Sequence, residues 1–236
     1  MATFVLIHGA WEAGWVWNSI VPHLCGAGHE VIRPSLTGLG ERSHLLSPSV
    51  DLETHIADVL GVIKWERLQN VTLVGHSYGG VVATGVADRV HDRIGSLIYL
   101  DAFMPKDGQA LVDLLPPERA DGMRKIADEQ GEGWYLPISA APLQYVTEPK
   151  EAALLEELCV AHPLATMTQK LNVSGNHLKI AKKAFVLATG YAPSPFTRFA
   201  EEARALGWPV EELATHHFTM LSMPHETADV LMRHAA

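Results

Sequence analysis

Six short apolar runs recur along this chain, and helical patterns or one long insertion separate each from the next. The runs are Phe4 to Ile7, Glu30 to Pro34, Val71 to Val74, Leu97 to Leu100, Ala184 to Ala188 and Val210 to Leu213. Strands covered on both faces read as near-continuous apolar runs, and parallel strands need crossover helices between them. Helical patterns fill Asn18 to Ala27, Leu52 to Glu66, Val81 to Val90, Pro195 to Leu206 and Glu226 to Arg233, with Asp51 placed as an N-cap. The expected fold class is α/β, with about six mainly parallel strands and helices on both faces. A chain of 236 residues, 47% of them apolar, is long enough for one such core.

Residues 104–182 break the rhythm. They hold helix-like segments at Pro117 to Gln130 and Pro149 to Ala161 but no clear buried strand. The expectation is a core built from 1–103 and 183–236, with 104–182 inserted after the fourth strand as a helical lid. Leu111, Leu115, Trp134, Tyr135, Leu164 and Met167 are apolar residues of that insertion able to face a pocket, or to form the lid's own core.

Net charge excludes one class of partner. At -9, without a cluster of Lys and Arg, the chain lacks the footprint of a nucleic-acid binder. Charged residues or His interrupt every apolar stretch before the roughly 18 residues that a membrane helix needs. The first strand-like run begins almost at the initiator Met, so the expected location is cytoplasmic. Cys25 and Cys159, far apart on helical patterns, read as two reduced, buried thiols.

Chemistry is concentrated after the third run. Gly75-His76-Ser77-Tyr78-Gly79-Gly80 follows Val71 to Val74 directly and opens the helical pattern Val81 to Val90. A serine on so sharp a strand-to-helix turn needs small residues two before and two after it, and glycine stands at both. Ser77 is therefore the candidate nucleophile. The backbone amides of Tyr78 and, after the first run, Ala10 in His8-Gly9-Ala10-Trp11 are the candidate oxyanion donors. His8 reads as a loop hydrogen-bonding residue, and Trp11, Trp15 and Trp17 as a possible pocket wall.

A serine nucleophile needs a base and an acid on the same rim. His216 and His217 both follow the last run, whereas His225 sits at a helix start, where the dipole disfavours an imidazolium. The segment Ala188 to Pro195 holds no carboxylate, but the fourth run leads straight into Asp101. Asp101 is the candidate acid. No metal-ligand spacing is present, and no metal or other cofactor is expected.

With the His-Gly-Ala-Trp loop, the elbow, the Tyr-Leu-Asp-Ala-Phe-Met-Pro segment and the tail from His217 to Pro224 in place, the chain resembles the small lidded α/β-hydrolases. That branch includes plant methylesterases, hydroxynitrile lyases and bacterial carboxylesterases. Leu52 to Leu60 and His162 to Thr166 look closest to bacterial esterases, among them carbendazim hydrolases, which cleave the methyl carbamate of benzimidazole fungicides. In that family the base stands seven residues before the Pro of Ser-Met-Pro, which points to His217. The lyases have threonine where this chain has Gly9, glutamate where it has His76 and lysine where it has Phe218. The resemblance implies the α/β-hydrolase fold and a serine esterase acting on a small carboxylic ester. Carbamate or amide hydrolysis by the same triad is the alternative, and a lyase-like reaction a further one. Trp11, Phe103, Trp134 and Leu164 are the expected substrate-binding residues. Oligomeric state is not legible.

Overall fold

The computed structural model describes residues 1–141 and 143–236, without the side chains of Ala140 and Gln144. β1 (Thr3–Ile7) is fully buried after its first residue and lies between β2 (Glu30–Ile32) and β3 (Val71–His76). β3 is followed by β4 (Ile94–Leu100), and two later strands, Lys182–Ala188 and Val210–Leu213, complete one six-stranded sheet. Every neighbouring pair is parallel. All carboxyl ends therefore emerge on one rim, where ligands of open α/β sheets bind.

Helices cross between the strands. α1 (Val21–Gly26) is short and buries only Leu24, which leaves Cys25 on its exposed side. The reading of Cys25 as buried is corrected here, while Cys159 is buried as expected. α2 (Leu52–Trp65) starts where expected: Asp51 accepts the Thr54 amide at 2.9 Å, and the Asp51 amide donates back to the Thr54 hydroxyl at 3.4 Å. α3 (Gly79–Arg89) is buried from Gly79 through Asp88, consistent with its apolar composition on all sides.

The insertion carries α4 (Pro117–Gln130), α5 (Pro149–Leu158) and α6 (Ala165–Thr168). It also contains an antiparallel pair absent from the sequence reading, β5 (Tyr135–Leu136) against β6 (His162–Pro163). Two residues per strand are too few to show a period of two. The two strands that complete the main sheet are β7 (Lys182–Ala188) and β8 (Val210–Leu213). α7 (Thr197–Ala205) joins them, and α8 (Thr219–Ser222) and α9 (Pro224–Arg233) close the chain. No helix among the described residues is long and apolar enough to cross a membrane.

The strand-to-helix turn after β3 is seated by close packing. A Cβ at Gly79 would stand 2.6 Å from the carbonyl oxygens of both Ile7 and His8, and one at Gly75 would stand 2.5 Å from that of Gly79. Those are backbone atoms, which cannot rotate aside. Gly79→Ala is therefore expected to destabilise the fold by about 1–3 kcal/mol, as overpacking does. Urea unfolding of wild type and variant measures this, and equal midpoints would contradict the packing.

Candidate active site

Ser77 sits between β3 and α3 with φ 55°, in the left-handed region that side chains with a Cβ seldom enter. Its neighbours hold it there. The Ser77 amide donates to Leu100 O at 3.3 Å, and its carbonyl accepts the amides of Gly80 at 3.1 Å and Phe103 at 3.2 Å. The end of β4 thus braces the turn from the side.

Asp101, the residue after β4, is also left-handed, with φ 43°. Its amide donates to Val186 O on β7 at 2.7 Å. The buried carboxylate takes three hydrogen bonds: the Ala188 amide on Oδ1 at 3.1 Å, the Tyr191 hydroxyl on Oδ2 at 2.6 Å and His217 Nδ1 on Oδ2 at 2.7 Å. Glu211 and Glu212 are engaged elsewhere, with Arg233 and His234 and with Arg204. Tyr191 lies in the segment Ala188 to Pro195, which holds no carboxylate. What that segment supplies is a hydroxyl that orients Asp101.

The two adjacent histidines separate cleanly. His216 Nε2 donates to Glu151 Oε2 at 2.7 Å, on α5. His217 is buried, its ring stacked on Phe196 with centroids 5.0 Å apart and planes 7° from parallel. Burial lowers its pKa first and the nearby His76 lowers it further, while Asp101 and Glu12 work against both. The net direction is down, which leaves a neutral imidazole able to accept a proton.

The loop after β1 is held from several sides. His8 Nδ1 donates to Gly9 O at 2.8 Å and His8 Nε2 accepts the Leu36 amide at 3.1 Å. Trp11 has φ 65°, and its amide donates to His162 Nδ1 at 3.2 Å. The Trp11 indole donates to the Leu136 and Pro137 carbonyls at 3.2 Å each, and Val160 N–H donates to Trp11 O at 3.0 Å. The β5–β6 pair is in this way fastened to the turn that carries Ala10. On the elbow, the Tyr78 hydroxyl donates to His55 Nδ1 at 2.9 Å, so this side chain is committed to the core.

One cavity is bordered by Ser77, His217, Ala10 and Tyr78 together with Trp11 and Phe103. Leu111, Leu115 and Met167 of the insertion also line it. Trp134 and Leu164, expected to bind substrate, do not, and nor do Tyr135, Trp15 and Trp17. The Trp134 carbonyl accepts the Leu164 amide at 2.9 Å, and the Trp134 ring packs on Tyr135 and donates to Glu132 in an exposed contact. These residues build the small hairpin, while Trp17 is wholly within the core. The cavity instead takes Arg119, Met123, Tyr145, Tyr191 and Phe196, none of which the sequence reading selected. Helical spacing marks Arg119 and Met123 as one face of α4, but nothing in the sequence orients that face. Among the described residues no cluster of three or more His, Cys, Asp or Glu could hold a metal ion.

A parallel sheet with a strained serine between strand and helix, and a histidine–aspartate pair on the same rim, defines the class of α/β-hydrolases. Residues 4–230 match the model of the alpha/beta hydrolase family, and the chain belongs to that family. It is 42% identical to the carbendazim hydrolyzing esterase of Nocardioides sp. (strain SG-4G), over 98% of each chain. It is 28% identical to the probable esterase PIR7A of Oryza sativa, over 99% of this chain and 96% of the other. An extracellular alpha/beta-hydrolase from a Paenibacillus species superposes with a TM-score of 0.87 at 26% identity, covering 100% of this chain and 99% of that one.

The buried histidines make stability depend on pH. Burial is the main cause of a lowered pKa at His8, His55, His162 and His217, to about 4 for His55. The unfolded chain takes up those protons near pH 6.5 and the folded one resists, so stability is complete above that pH and is lost as pH falls toward 4. Each resisted proton costs about 1.4 kcal/mol per pH unit. The urea midpoint is expected to be lower at pH 5 than at pH 7.5. An equal or higher midpoint at pH 5 would refute the assignment of these rings as neutral.

Proposed function

We propose that this ester hydrolase works through an acyl-enzyme on Ser77, with His217 as general base and Asp101 holding the imidazole. The observation that carries the reading is the 2.7 Å hydrogen bond from His217 Nδ1 to Asp101 Oδ2, with His217 and Ser77 bordering the same cavity. Nδ1 carries the proton, so Nε2 is the basic nitrogen. In acylation Ser77 Oγ attacks the ester carbonyl and Nε2 takes the hydroxyl proton. The Ala10 and Tyr78 amides bind the developing oxyanion, and Nε2 then protonates the departing alcohol. Water, deprotonated by the same nitrogen, releases the acid and restores Ser77.

Residues 104–182 act as a lid over the core formed by 1–103 and 183–236. The substrate is a small-molecule ester whose apolar part lies among Trp11, Phe103 and the lid residues Leu111, Leu115 and Met167. A methyl carbamate such as carbendazim is the second reading, supported by the 42% identity to a carbendazim hydrolyzing esterase across nearly the whole chain. A carbamate presents the same carbonyl to the same groups. A cytoplasmic setting suits the exposed free thiol of Cys25, and cell fractionation tests it.

Ser77→Ala should abolish turnover of p-nitrophenyl acetate, a loss on the order of a millionfold, and block labelling by a serine-directed phosphonate. Appreciable activity in the alanine variant would end the acyl-enzyme reading. Wild type offered carbendazim, p-nitrophenyl acetate and mandelonitrile should release products from the carbamate or the ester. Cyanide formed faster than either product would make it a lyase instead. Asp101→Asn should lower kcat by roughly 10⁴ with the fold retained, because the amide no longer fixes the tautomer of His217. Near-normal turnover would leave Ser77 and His217 as a dyad.

A further inference from the structure

A buried glutamate and histidine that the acyl-transfer steps do not use lie beside Ser77 and His217, and Glu12 borders a small cavity with both of them. Glu12 is 2% exposed and His76 is fully enclosed. Glu12 Oε2 stands 3.3 Å from His76 Nδ1 and accepts the Gly9 amide at 3.2 Å. His76 Nε2 donates to the backbone carbonyl of His217 at 3.1 Å. His76 Nε2 is thus hydrogen-bonded to a carbonyl, while Nδ1 has no hydrogen-bond partner and lies within ion-pair distance of the Glu12 carboxylate. With Nε2 donating to a carbonyl, a lone pair on Nδ1 would face the carboxylate, whereas a second proton there is attracted to it. A buried ion pair is costly to desolvate, and a well-packed apolar pair would fill the same space without that cost.

We propose that Glu12 and His76 are positioning residues, a buried carboxylate–imidazolium pair that fixes the Ala10 amide and the His217 ring relative to Ser77. The proposal rests on the acyl-enzyme reading above. Three parts of the site meet on this pair. Gly9 precedes Ala10, and its turn is seated directly on the two side chains: a Cβ there would lie 2.7 Å from Glu12 Oε1 and 3.1 Å from His76 Nδ1. His76 is the residue before Ser77. Its other end holds the loop of His217, whose ring centroid is 4.5 Å from its own. Trp17 and Phe218 wall the pair with their rings at 6.2 and 5.9 Å from His76.

The titratable groups facing the pair are His8, Asp101, Cys159 and His217, with Tyr191 beyond His217. Burial opposes the charge on His76, but Glu12 and then Asp101 favour it, and the net direction is up. The same charge disfavours a second proton on His217 more than Glu12 favours one. Removing both charges should therefore make His217 easier to protonate.

The test is Glu12→Gln, assayed on p-nitrophenyl acetate across pH beside wild type and Ser77→Ala. The amide keeps the shape but not the charge, so His76 loses its second proton. The expected result is a tenfold to hundredfold fall in kcat, the scale of a misplaced reacting group, with KM little changed. The acid limb of kcat/KM should move to higher pH, which a merely structural contact would not cause. In wild type, ring nitrogen NMR, assigned with His76→Gln, should show both nitrogens of His76 protonated at pH 7. A folded Glu12→Gln enzyme with wild-type kcat and acid limb would overturn the proposal, and so would a neutral His76 ring. If Glu12→Gln does not fold, the NMR measurement on wild type decides alone. An active Ser77→Ala sinks the acyl-enzyme reading, whereas an inactive one beside an unaltered Glu12→Gln sinks only the positioning pair.

Discussion

Three residues with side chains, Trp11, Ser77 and Asp101, occupy the left-handed region just beyond the carboxyl ends of adjacent parallel strands β1, β3 and β4. Each such conformation costs on the order of 1–3 kcal/mol and persists only where its surroundings over-determine it. Here each is held by backbone hydrogen bonds from the segments around it. Ser77 is hydrogen-bonded to Leu100 and Phe103 on either side of Asp101, and the Asp101 amide donates to β7. Trp11 is gripped by the β5–β6 pair through its amide, carbonyl and indole. The rim of the sheet thus turns three chain segments toward one point, and parallel register lets it do so, because only in a parallel sheet do all those ends share a rim.

Polar groups behind that rim divide into neutral and charged sets, and the division follows their partners. His55 and His162 each have one donor and one acceptor facing them: the Tyr78 hydroxyl and Thr37 carbonyl for the first, the Trp11 amide and Thr166 hydroxyl for the second. A neutral imidazole satisfies both demands, and burial lowers the pKa of each. His76 has a carbonyl at Nε2 and, 3.3 Å from Nδ1, the Glu12 carboxylate instead. On the proposed pairing with Glu12, the same side chain within the same core carries a different charge, and the identity of the neighbouring atoms, not burial, decides which.

Much of this was legible in the sequence because it depends on local pattern. The main strands, the elbow with its two glycines and the N-cap at Asp51 each rest on residues a few positions apart. Asp101 was legible through an absence, since Ala188 to Pro195 offers no carboxylate, and the Asp101–His217 hydrogen bond spans 116 positions. Other features needed the fold. Glu12 carries no assignment from the sequence, although a lone carboxylate in so apolar a stretch was a usable signal for a buried partner. Trp134 and Leu164 failed as pocket residues because hairpin pairing, invisible in two-residue strands, spends their backbones on each other and turns the Trp134 ring toward Tyr135.

The insertion contributes more than a wall. Its helices supply Arg119, Met123 and Met167 to the cavity, while its hairpin holds the turn on which Ala10 stands. These attachments differ in kind. The cavity residues present side chains, which can change in size or charge without altering the course of the chain. The hairpin binds mainly through the Leu136, Pro137 and Val160 backbone and the single ring of His162. His162 is fixed in turn by Thr166, whose hydroxyl donates to Pro163 O at 2.7 Å. Substitutions along α4 can thus reshape the cavity without touching the anchor of Trp11. A change at His162 or Thr166 would instead act on the turn that carries Ala10 and Trp11, and through Trp11 on one wall of the cavity.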